Sequence, residues 1–150
     1  MSRMQLALNV SNLDEAITFY SKFFEAAPAK VRPGYANFAL NDPPLKLVLI
    51  EGGGTPGSIN HLGVEVFSSD EVVAATKRLR DDGMSTDVEE STTCCYAVQD
   101  KVWVDGPDSS RWEVYTVLAD APVESSISGD GQCCASNDTS ALAVAHETCC

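Results

Sequence analysis

One unit is written twice in this chain, and few folds accommodate that. Residues 5–10 read QLALNV and residues 61–66 read HLGVEV. Both alternate with period two, the pattern of a strand with one apolar face. Leu6, Leu8 and Val10 share one face of the first, and Leu62, Val64 and Val66 one face of the second. The opposite faces carry Gln5, Ala7 and Asn9, and His61, Gly63 and Glu65. Seven residues after Gln5 comes Asn12, followed by Glu15; seven after His61 comes Ser68, followed by Glu71. An Asn or Ser with Glu three positions on resembles the capping box that starts a helix. An apolar stripe follows each: Leu13, Ala16, Ile17, Tyr20 and Phe24 in the first, Val72, Ala75 and Leu79 in the second, with Gly83 as a stop.

The halves also end alike. YANFAL, NDPP and LKLVLIE close the first; DKVWV, DGPDSS and RWEVYTVL close the second. Apolar runs joined by Pro, Asp and Gly read as hairpins, and shorter strands are expected before them near residues 29–32 and 86–90. Each half is therefore β-α-β-β-β. The expectation is an α+β domain over residues 1–118, built from two βαβββ modules at 1–51 and 60–118 with a Gly-rich linker at 52–59. Helices would cover the apolar faces, and the polar faces would curl around a shared cavity. The linker lets modules pair within one chain or between two, so monomer and homodimer both fit.

Beyond residue 118 the pattern stops. Residues 119–150 contain no Lys, Arg or aromatic residue and read as a mostly disordered acidic tail. The chain has 22 acidic and 10 basic residues, a formal charge of -12. That charge repels nucleic acid and anionic membrane surfaces, so neither is an expected partner. No apolar run is long enough to cross a bilayer, and the first residues lack a signal-peptide layout. The expected location is the cytoplasm, where thiols stay reduced.

Gln5 and His61 hold equivalent places on the two first strands. On the last strand, Glu113 falls on one face with Tyr115 and Val117, opposite Trp112, Val114 and Thr116. An amide oxygen, an imidazole and a carboxylate can bind one face of a divalent metal and leave positions open for oxygen or substrate. The cysteines occur only as adjacent pairs: Cys94-Cys95, Cys133-Cys134 and Cys149-Cys150. Neighbouring Cα atoms lie about 3.8 Å apart, below the ~4.4–6.8 Å usual for a disulfide. Reduced dithiols that capture a soft, thiophilic ion are the easier reading. Adjacent residues of a regular strand point to opposite faces, so joint use of Cys94 and Cys95 calls for an irregular or mobile loop.

The paired modules and the Gln5, His61 and Glu113 positions resemble the vicinal oxygen chelate superfamily, which includes glyoxalase, bleomycin-resistance proteins and extradiol dioxygenases. PGYANFAL, PPLKLVLIE, HLGVEV and CCYAVQDKVWV are similar, more closely, to the organoarsenical carbon–arsenic lyases and cadmium-inducible proteins of bacteria. The resemblance implies a non-haem Fe(II) dioxygenase that uses O2 to cleave the carbon–arsenic bond of trivalent methyl- and arylarsenicals, yielding arsenite. It places the metal on Gln5, His61 and Glu113, where Ni, Co, Zn or Mn are alternative occupants, and arsenic on Cys94 and Cys95. Tyr96, Gln99, Lys101, Tyr35, Phe38 and Trp103 would surround the site or line its cavity. In the tail, Cys133, Cys134, Cys149 and Cys150 are candidates for capturing soft metal ions, with His146 assisting. The alternative is a thiol protein that sequesters cadmium or arsenic without catalysis.

Overall fold

A computed structural model describes residues 2–122; the cysteine pairs at 133–134 and 149–150 lie outside the described residues. The elements are β1 (Arg3–Val10), α1 (Leu13–Phe23), β2 (Lys30–Arg32), β3 (Tyr35–Ala39), β4 (Leu45–Glu51), β5 (Ile59–Glu65), α2 (Ser69–Asp81), β6 (Asp87–Cys94), β7 (Ala97–Asp105) and β8 (Arg111–Asp120), with a short 3-10 turn at Pro107–Ser109. Both helix starts form as their sequences dictate. The Asn12 side chain accepts the Glu15 N–H at 2.9 Å, and that of Ser68 accepts the Glu71 N–H at 3.3 Å. Glu71 reaches back to accept the Ser68 hydroxyl at 3.1 Å and the Phe67 N–H at 3.0 Å, a variant of the capping box.

The strands form one eight-stranded sheet in the order β2-β3-β4-β1-β5-β8-β7-β6. Each module contributes four strands, and the modules join where β1 pairs antiparallel with β5, Gln5 opposite Gly63 and Ala7 opposite His61. That register is a two-fold exchange of Gln5 with His61 and of Ala7 with Gly63. Within the modules, Ala7 pairs with Val48 and Gly63 with Glu113, both in parallel ladders. Val48 is thus the symmetry counterpart of Glu113. The sheet is curled, since elements far apart in the strand order meet: the Tyr35 and Tyr96 rings lie 5.7 Å apart, and the Tyr96 hydroxyl donates to Pro33 O at 3.1 Å.

Through Leu13 and Ile17, helix α1 packs on Ala36, Phe38, Leu47 and Leu49, with Leu6, Leu8 and Val10 at the margin. Helix α2 covers Val66 and Val102 with its Val72 and Leu79 side chains. Phe38 therefore sits under α1, not in the cavity. Along β3, Tyr35 and Asn37 face inward while Ala36 and Phe38 face the helix. The polar face of the first strands is the more deeply buried one: Gln5, Asn9 and His61 are each only 4% exposed. Strand β8 runs two residues past Leu118, because Ala119 and Asp120 pair with Val98 and Ala97 of β7. Lys30 and Arg32 clasp the Asp120 carboxylate, and the Ala121 N–H bonds Tyr96 O at 2.9 Å. No helix among the described residues is long and apolar enough to cross a membrane.

Candidate functional site

The inner faces of β1, β5 and β8 bring Gln5, His61 and Glu113 together. The Gln5 amide nitrogen lies 3.0 Å from His61 Nε2 and donates to Glu113 Oε1 at 2.6 Å; His61 Nε2 is 3.4 Å from Glu113 Oε1. Donors on neighbouring corners of a metal's coordination shell, with bonds of ~2.1 Å, stand ~3.0 Å apart, and these edges bracket that length. The amide carries nitrogen and oxygen at its two tips, so a half-turn of Gln5 presents the oxygen instead. Space is kept by Gly63: a Cβ there would come within 2.9 Å of Glu113 Cγ. Among the described residues, His, Cys, Asp and Glu alone gather no three-member cluster; the third donor is an amide. An N,O,O set with a neutral member suits a divalent ion held on one face, with open positions opposite.

Two of the three members, His61 and Glu113, are each held by a second residue. The Asn60 side-chain oxygen lies 2.7 Å from His61 Nδ1. Asn60 cannot turn its amide round, because its NH2 donates to Asn9 Oδ1 at 3.0 Å and to Gly53 O at 3.3 Å. The proton therefore rests on Nδ1, and the Nε2 lone pair faces Gln5 and Glu113. Asn9 is fixed in turn by Ser58 at 2.9 Å. The linker glycines permit this approach: a Cβ on Gly54 would stand 2.8 Å from Asn9 Nδ2. The edge of the Trp103 ring meets the imidazole at a centroid distance of 5.5 Å, and its N–H donates to Glu89 at 3.2 Å. Lys101, 1% exposed, sets its ammonium 3.0 Å from Glu113 Oε2, leaving Oε1 to the triad. Burial alone would raise the Glu113 carboxyl pKa, but the Lys101 ammonium foremost holds it down at about 2. Burial opposes the Lys101 charge as well, and Glu113, followed by Cys94, more than reverses that.

Cys94 and Cys95 do not lie in an irregular loop. Cys94 ends β6, Ala97 opens β7 opposite it, and Cys95 and Tyr96 form a two-residue hairpin turn with φ of 54° and 59°. Positive φ at both central positions is the geometry usually given to Asn-Gly; for Cys and Tyr it is strained. The reversal puts both thiols on one side, Sγ to Sγ 3.4 Å, free of disulfide and buried. They pack with Ala7, Val48, Tyr35 and Ile50, on the module 1 side of the triad, and the Cys94 sulfur acts electrostatically on both Glu113 and Lys101. Gln99 braces the turn by donating to Cys94 O at 3.0 Å, and Tyr35 accepts from Asn37 at 2.8 Å. Phe38, expected around the cavity, packs instead with Leu47 and Leu49 under α1. Sequence reasoning missed Asn60 and Asn9, the buried Lys46-Glu65 pair at 2.9 Å, and Tyr115. The one available signal was the GGG run, which marks a close approach as well as a linker.

Residues 4–114 match the model of the Glyoxalase/Bleomycin resistance protein/Dioxygenase superfamily. The chain belongs to that superfamily. It is 65% identical over 121 residues to the cadmium-induced protein CadI of Mycobacterium tuberculosis, spanning 81% of this chain and 80% of that one. It is 54% identical over 152 aligned residues, covering all of both chains, to the trivalent organoarsenical cleaving enzyme of Thermomonospora curvata. Among solved structures, the Mn(II)-bound glyoxalase of Novosphingobium aromaticivorans superposes with a TM-score of 0.58 at 16% identity, over 85% of this chain and 44% of that one. That likeness concerns the fold.

Proposed function

We propose that this chain cleaves the carbon–arsenic bond of trivalent organoarsenicals, with Fe(II) on Gln5, His61 and Glu113 and arsenic on Cys94 and Cys95. The observation that carries the reading is the thiol pair at 3.4 Å beside the triad. Two sulfur bonds of ~2.3 Å meeting at the ~95° of a pyramidal trivalent centre span ~3.4 Å, whereas a tetrahedral ion needs ~3.8 Å. The full-length relative that cleaves trivalent organoarsenicals supports the same reading.

The residues divide the labour. As the two As–S bonds form, the hydroxyls of a methyl- or arylarsenous acid leave as water and the remaining As–C bond has one direction to take. The turn fixes that direction, which is the positioning part of catalysis. Ala7 and Val48, beside the thiols, offer the organic group an apolar wall without a competing donor. Lys101 keeps Glu113 ionised and holds its outer oxygen, and Asn60 keeps the His61 lone pair inward. Fe(II), when bound, supplies the activation of O2. For the methyl compound, methylarsenous acid plus O2 gives arsenous acid plus formaldehyde, which balances in atoms, the carbon oxidised and dioxygen reduced.

The test is to mix anaerobic, Fe(II)-loaded protein with methylarsenite, admit O2, and follow arsenite and formaldehyde. Equimolar release that vanishes in His61→Ala and in Cys95→Ala is the expected result. Methylarsenite that stays intact and bound one to one would overturn it in favour of sequestration of soft metals, the reading to which the name of the cadmium-induced relative points.

A further inference from the structure

The inner face holds buried polar side-chain atoms without a hydrogen-bond partner among the described residues: Glu65 Oε2, Glu113 Oε2, Gln99 Oε1 and the Tyr115 hydroxyl. The carboxylate oxygens are ion-paired, Glu65 with Arg3 at 3.1 Å and Glu113 with Lys101 at 3.0 Å. Gln99 Oε1 and the Tyr115 hydroxyl are left. Neither can recruit a neighbouring cation, because Lys46 is engaged by Glu65 at 2.9 Å and Lys101 by Glu113. Nor can Gln99 turn its amide round, since its NH2 is committed to the Cys94 carbonyl. An unpaired buried polar group costs ~1–3 kcal/mol, and such groups persist where something else completes them.

Their placement says what completes them. Gln99 stands beside the thiol turn. Tyr115 follows Glu113 by two on the same face of β8 and lies opposite Lys101 of β7 and Glu65 of β5. With Lys101 opposite Tyr115 and Gln99 opposite Val117, Gln99 and Tyr115 are diagonal neighbours, their side chains rooted ~7–8 Å apart. One atom is an acceptor; the other can donate. Gln99 adjoins the thiols and Tyr115 adjoins the triad strand position of Glu113; on the reading above, the organic group lies between thiols and triad. A methyl group satisfies neither. A hydroxyl or amine on an aryl ring satisfies both, donating to Gln99 and accepting from Tyr115.

Resting on that reading, we propose that Gln99 and Tyr115 form a specificity subsite for a hydrogen-bonding group on the substituent of arsenic. The chain then selects hydroxy- or aminoaryl arsenites over phenylarsenite and methylarsenite. A site whose buried polar groups pair with the substrate discriminates strongly against analogues that lack the group.

The test is calorimetric binding of 4-hydroxyphenyl-, phenyl- and methylarsenite to reduced, metal-free protein under anaerobic conditions, so that no turnover enters. Wild type is expected to bind the hydroxyphenyl compound at least ~10-fold more tightly than the phenyl compound. Tyr115→Phe should cut that preference to about 2-fold, leave phenylarsenite binding unchanged and not lower the melting temperature, since it removes an unpaired hydroxyl. Equal binding of both aryl compounds by wild type, equal weakening of both by Tyr115→Phe, or a lower melting temperature would overturn the subsite and leave the lyase reading standing. Absence of arsenite binding, or binding that survives Cys94→Ser with Cys95→Ser, would overturn both.

Discussion

Replacing Asn60 with Leu removes the acceptor that lies 2.7 Å from His61 Nδ1. It also removes the two bonds by which Asn60 ties Asn9 and Gly53 to the imidazole. In the loaded protein the Nδ1–H is then buried and unpaired, a cost of ~1–3 kcal/mol. In the metal-free protein the ring escapes that cost by moving its proton to Nε2, where Glu113 Oε1 waits at 3.4 Å. Both effects act against metal binding, and the expected loss of Fe(II) or Co(II) affinity is ~10–100-fold. Asn60→Asp should lose less affinity than Asn60→Leu, because a carboxylate still accepts from Nδ1 although it gives up the bonds to Asn9 and Gly53. Titration calorimetry measures the affinity, and long-range proton–nitrogen correlation reads the tautomer directly. The chain has only two histidines, so the His61 signals are simple to find. Wild type should carry the proton on Nδ1 and Asn60→Leu should not. A leucine variant that keeps both the Nδ1–H form and wild-type affinity would refute the reasoning.

Lys101→Met strands the buried Glu113 charge and should destabilise the metal-free protein by ~3–5 kcal/mol, while Lys101→Met with Glu113→Gln recovers most of the loss in chemical denaturation. The Glu113 carboxyl is held below its unfolded value of 4.5, at about 2; its stabilising contribution is complete above that unfolded value and is lost as pH falls through about 2, so acid titration of stability should flatten in Glu113→Gln. Phe38→Ala should cost ~3–5 kcal/mol in thermal or urea unfolding and leave metal affinity unchanged, since the ring belongs to the core under α1. Val48→Glu should supply a further carboxylate to the triad, tightening metal binding in calorimetry by ~10-fold or more while abolishing arsenite release.

The repeat was legible because it rests on periodicity and on helix caps, which are local. Gln5, His61 and Glu113 were legible because the repeat fixes which face each strand turns inward. Phe38 was not, because every residue of β3 but the last is buried and burial on both faces erases alternation. The thiol turn was not, because Cys-Tyr is a poor sequence for two positive-φ positions; the hairpin is imposed by the long β6-β7 pairing. Asn60 gave no signal, and Tyr115 gave only its place on the Glu113 face, since their roles depend on contacts made across strands. The end of β8 was obscured because the residues beyond Leu118 are polar and small, and it is pairing with β7 that holds them.

The register that makes Val48 the counterpart of Glu113 also gives the site a direction. A duplicated half-site left unchanged would surround an ion evenly and leave nowhere for chemistry to begin. Here one copy kept its carboxylate and the other carries a valine. The donors therefore crowd towards module 2, and the bare side looks across Ala7 and Val48 to the thiols. Two like halves that differ at such paired positions make not a symmetric cage but a vessel with a mouth.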